Sequence, residues 1–140
     1  MKLSLLLAAA LIPQLALAEL KLNSLFTDHM VLQRDKVLPV WGTADPGVEV
    51  AIEFAGQKKT AVATKKGKWQ IKLDALKGSY DGRDLVVTSN KKSHKISDVV
   101  LGEVWICSGQ SNMQFGVGAV PEVKALAKTA KHIRTFDVPR

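Results

Sequence analysis

With 140 residues, one cysteine and three scattered histidines, the chain can close no internal disulfide and offers no cluster of metal ligands, so neither a metal nor a cofactor is expected. Its formal charge of +7 is carried by short lysine groups, Lys58-Lys59, Lys65-Lys66-Lys68 and Lys91-Lys92-Lys95, set beside turn signals and not along one stripe. That pattern reads as solvated hairpin ends, with an acidic glycan or cell envelope as the sharper alternative, and it argues against a nucleic-acid partner.

Residues 1–18 hold one charge at Lys2, an apolar run to Leu11, a Pro13-Gln14 break and then Ala16-Leu17-Ala18. This is the pattern of a secretory signal peptide with a small-residue cleavage site, too short to span a bilayer comfortably. The mature chain is therefore expected to begin near Glu19, secreted or periplasmic, with no stable membrane insertion. Loss of Lys2 lowers its charge from +7 to +6.

From residue 19 to 97 the pattern is one of short alternating segments. Val48, Val50, Ile52 and Phe54 share one face, with Glu49 and Glu53 on the other, a period of two. Residues 37–43, 60–64, 69–73 and 85–89 read as further strands, with short edges at 20–25 and 30–33. Asp45-Pro46-Gly47, Ala55-Gly56-Gln57, Lys66-Gly67-Lys68 and Tyr80-Asp81-Gly82 supply the turns. Strands at this spacing predict a small antiparallel β-sandwich whose single core is built on Trp41, Trp69, Phe54 and Ile71. Exposed tryptophans on such a module would suit a sugar face, but both sit at strand positions among apolar neighbours and are assigned to the core. His29, in a turn beside Asp28, is assigned local hydrogen bonding and no catalytic role; His94 is expected on the surface.

Residues 99–107 change the pattern again, running apolar almost without alternation before the abrupt Ser108-Gly109-Gln110-Ser111-Asn112. Such a run predicts a strand buried on both faces, as in a parallel sheet covered by helices, and makes Cys107 a small core residue with a catalytic thiol as the minor alternative. Active sites on these sheets lie past the carboxyl ends of the strands, which is where Ser111 stands, with Gly109 allowing a sharp turn. Ser111-Asn112-Met113-Gln114 also fits a helix-capping box, S-x-x-Q, and caps are far commoner than nucleophiles. The G-x-S-x-G elbow of α/β-hydrolases fails at Met113. Both roles for Ser111 stay open on the residues alone.

Pro121 can open a helix, with Glu122 near its positive end and Lys128 and Lys131 near its negative end. Val123, Leu126, Ala127 and Ala130 would give it an apolar stripe against the sheet, and residues 133–138 read as a returning strand. Strand, turn, helix and strand make a βαβ unit over residues 98–140, the opening of an α/β domain.

The string GEVWICSGQSNMQ at residues 102–114 closely resembles the first sequence block of the sialate O-acetylesterase family, secreted carbohydrate esterases of the SGNH-hydrolase type. FTDHMVLQRDKVLPVWGTADPG at residues 26–47 and IRTFDVPR at 133–140 resemble the same family. The resemblance implies an SGNH, flavodoxin-like α/β hydrolase domain and makes the serine of GQSN, Ser111, the nucleophile. Gly109, Gln110 and Asn112 then support the turn or the oxyanion, and capping becomes compatible with catalysis. It also implies a base and its orienting acid from a late Asp-x-x-His segment. Asp137-Val138-Pro139-Arg140 has arginine where that histidine would stand, and His132 is the only histidine after Ser111. The expectation is thus an amino-terminal piece of a longer esterase, inactive by itself, whose parent removes O-acetyl groups from sugars. A non-catalytic glycan-binding sandwich and an envelope structural protein are the rival readings.

Overall fold

Alternating side chains between residues 19 and 102 become eight strands in the computed structural model, which describes residues 19–90, 92–114, 116 and 120–138. The leader expected over residues 1–18 lies outside these. The strands are β1 (Lys21–Leu22), β2 (Val31–Gln33), β3 (Leu38–Thr43), β4 (Glu49–Phe54), β5 (Gln57–Val62), β6 (Lys68–Leu73), β7 (Ser79–Ser89) and β8 (Lys92–Gly102). A 3-10 turn at Ser111–Gln114 and one α-helix, α1 (Pro121–Ala127), follow. Among the described residues no helix is long and apolar enough to cross a membrane.

The strands form two sheets, ordered β1-β3-β6 and β2-β8-β7-β4-β5. All pairings are antiparallel except β2 with β8, which is parallel and matches Val31 to Val100 and Gln33 to Gly102. Each sheet turns one face to a shared core, and the period of two decides which residues enter it. Leu38, Val40, Trp69, Ile71 and Leu73 come from the first sheet; Val50, Ile52, Phe54, Leu85, Val87, Ile96, Val99 and Leu101 come from the second. Burial of each large aliphatic or aromatic side chain here contributes about 1.5–3 kcal/mol.

Turn chemistry fixes the register. Ala55 and Gly56 both have positive φ, 49° and 80°, as a two-residue hairpin loop of type I′ between Phe54 and Gln57 requires. Gly67, at φ 71°, closes the loop from β5 to β6, and a side chain there would meet the Ala44 carbonyl. The pairing of β7 with β8 is irregular between Ser79 and Leu85, where β7 bends around the bulged Asp98.

Five expectations are corrected. Trp69 is buried, but Trp41 lies on the opposite face of β3 from Leu38 and Val40, half-exposed and edge-on to Phe26 with ring centroids 4.8 Å apart. The apolar run at residues 99–107 is not one interior strand. Val99, Val100 and Leu101 are buried as the end of β8, inside the two-sheet core, and residues 103–110 leave the sheet exposed and without regular structure. Cys107 is accordingly exposed, because the run is cut at Gly102, where the parallel ladder with β2 ends. Residues 133–138 form no returning strand: they pair with none of the eight strands and are held to the sheet through the side chain of Arg134. Helix α1 starts at Pro121 as its sequence predicts, yet Val123 and Leu126 remain exposed and pack on no sheet.

Candidate active site

Ser111 opens the 3-10 turn at the end of the exposed segment that follows β8. The turn is closed by the Met113 N–H, which donates to the Gln110 carbonyl at 2.9 Å, so Gln110 stands at its mouth. Gly109 owes its place to crowding: a β-carbon on it would lie 2.7 Å from Met113 Cγ. Small size, and not the left-handed backbone glycine permits, is what the turn asks of this residue. Ser111, Asn112 and Gln110 are all exposed. As the first residue of a helical turn, Ser111 has a backbone N–H with no carbonyl of that turn to receive it.

A serine hydroxyl needs a proton acceptor within hydrogen-bond reach. Among the described residues no histidine or carboxylate is hydrogen-bonded or ion-paired to Ser111. Each histidine has another partner. His29 Nδ1 lies 2.6 Å from Asp98 Oδ2, a residue 69 positions away and not its neighbour Asp28. His94 is exposed, as expected, and its Nε2 lies 2.7 Å from the Leu20 carbonyl, just ahead of β1. His132 stacks on Tyr80 with centroids 4.2 Å apart. Among the described residues no group of three or more His, Cys, Asp or Glu side chains is placed to hold a metal ion.

Two polar clusters, missed on sequence, fix the segment that carries the turn. At its start, Glu103 uses both oxygens: Gln33 Nε2 donates to Oε2 at 2.9 Å and Arg34 Nε to Oε1 at 2.7 Å. Gln33 Oε1 in turn accepts the Val104 N–H at 2.9 Å. The Gln33 amide thus continues the ladder one step past Gly102. The paired guanidinium is held more firmly protonated, and the Gln33 and Arg34 hydrogen bonds hold the Glu103 carboxyl below its ordinary range. Beyond α1, Arg134 donates to the Asp98 carbonyl at 2.6 Å and pairs with Asp98 Oδ2 at 3.0 Å. The hydrogen bond from His29, followed by that from Arg134, lowers the pKa of Asp98. The available signal was that Gln33, Arg34, Glu103 and Arg134 are polar residues inside the three family-like strings.

The sialate O-acetylesterase of Mus musculus is 33% identical over 129 residues, covering 82% of this chain and 24% of that protein. The Homo sapiens sialate O-acetylesterase is 34% identical over 107 residues, covering 67% of this chain and 20% of that one. The chain belongs to the sialate O-acetylesterase family. Among solved structures, a carbohydrate acetylesterase from Xanthomonas citri superposes with a TM-score of 0.71 at 31% identity, over 79% of this chain and 26% of that chain. The chain therefore spans about a quarter of the length of these family relatives. No protein-family model matches it.

Proposed function

We propose that this chain contributes a β-sandwich and the nucleophile-bearing opening of an SGNH-type hydrolase domain to an exported esterase that removes O-acetyl groups from carbohydrate. Ser111 attacks the acetyl carbonyl, and its own N–H, free at the head of the turn, stabilises the tetrahedral oxyanion. Gly109, Gln110 and Asn112 shape that turn. The observation that carries the reading is the exposure of Ser111 on a tight turn after an anchored segment, in a family whose members are esterases.

The proton acceptor is the part the described residues do not supply to Ser111, and an Asp-x-x-His segment fills it by resemblance. Hydrolysis by the 140 residues alone is accordingly expected to be negligible. Acetate release from an aryl acetate and an O-acetylated sugar, by the protein expressed from its whole reading frame, tests the proposal. Ser111→Ala should lower kcat by at least about 10⁴-fold. Glycan binding with no turnover in the unaltered protein would replace this reading with that of a binding module.

A further inference from the structure

The segment bearing Ser111 has little regular structure, yet its start is tied to the carboxyl end of β2 and its end to Asp98 of β8, beside the amino end of β2. At the carboxyl end of β2, Gln33 and Arg34 grip Glu103 and the Val104 N–H. At its amino end, His29 and Arg134 meet on Asp98, and the Met30 carbonyl accepts the Val100 N–H at 3.1 Å. The two grips are separated by the stretch from Asp98 in β8 to Glu103 just past its end, roughly 16 Å at about 3.3 Å per residue. Between residues 103 and 134 the chain leaves the sheet, makes the Ser111 turn, forms α1 and comes back.

We propose that Gln33, Arg34 and Glu103 at one end of β2, and Asp98 and Arg134 at the other, are positioning residues that set where Ser111 stands. The inference rests on Ser111 being the nucleophile. Stability alone does not explain the arrangement, because exposed ion pairs add little to it and all these groups are at least partly solvated. Geometry does explain it. Glu103 is held by two donors at once and Val104 by a side-chain amide, which fixes the direction in which the chain departs from Gly102. Arg134 fixes its return by holding the carbonyl and the carboxylate of a single residue. A misplacement of about 1 Å in a reacting group can cost 10²-fold in rate, so a segment without its own ladder needs such ties.

The test uses the protein expressed from its whole reading frame, with steady-state kinetics on an aryl acetate and thermal unfolding measured side by side. Arg34→Ala, Glu103→Ala and Arg134→Ala should each lower kcat by about 10- to 100-fold with KM changed less than about threefold and Tm little changed. Arg34→Ala combined with Glu103→Ala should cost no more than either alone, and the exchange of Arg34→Glu with Glu103→Arg should restore part of kcat. Ser111→Ala is assayed beside them. If it is inactive while the three variants keep kcat within about twofold, the positioning role is overturned and the nucleophile stands. If kcat falls only in step with Tm, the ties are structural and the inference is likewise overturned. If Ser111→Ala retains activity, the nucleophile assignment fails first and carries this inference with it.

Discussion

Asp98 concentrates more of this molecule's logic than any other residue. It has a positive φ of 55° in a β-strand, its carboxylate joins His29 to Arg134, and a β-carbon on Gly82 would come within 1.9 Å of its Oδ1. Gly82→Ala should therefore displace that carboxylate and loosen Arg134, costing about 1–3 kcal/mol by urea unfolding; a neutral result would mean that the carboxylate swings aside freely. Asp98 and Glu103 both have lowered pKa values in the folded protein, so they favour the fold above the ordinary carboxylate range and stop doing so as pH falls through their depressed values. The Val104 amide resonance should accordingly stay fixed through the ordinary carboxylate range and move only at more acidic pH. A resonance unmoved by strong acid would contradict the tie. Trp69 is buried with an Nε1–H that has no acceptor among the described residues. Trp69→Ala should cost about 3–5 kcal/mol, whereas Trp69→Phe, which removes the orphaned donor, should cost distinctly less.

At the scale of elements, strands with one wet face were legible and the apolar run after them was not. Val50, Ile52 and Phe54 alternate with Glu49 and Ala51, so their period announced both strand and core face. Residues 99–107 are apolar except at Gly102 and Glu103, yet only Val99, Val100 and Leu101 are covered. Hydrophobicity says that a segment will be buried when a partner is present; it does not say where the partner ends. Here β2 ends at Gln33, and Gln33 itself completes the last step. The same cut exposes Cys107, so a thiol reagent should label it in the native protein at a rate near that of a free cysteine; labelling only after denaturation would place it in packing. Gly42 shows a different hidden requirement: a β-carbon there would stand 2.0 Å from the Lys21 carbonyl, so Gly42→Ala should strip β1 from β3 and lower Tm.

For the whole molecule, the sequence disclosed the family and the nucleophile candidate through GQSN, but not the joinery behind it. The ties run between residues 36 to 71 positions apart, such as Asp98 with Arg134 and Gln33 with Val104, and no local period encodes them. The assignment of the Ser111 turn is tested most directly by peptide mapping after treating the protein, expressed from its whole reading frame, with a fluorophosphonate, which phosphonylates activated serines with loss of fluoride. The expected result is one stoichiometric adduct on Ser111, lost in Ser111→Ala. An adduct on a different serine, with Ser111 unmodified, would contradict it.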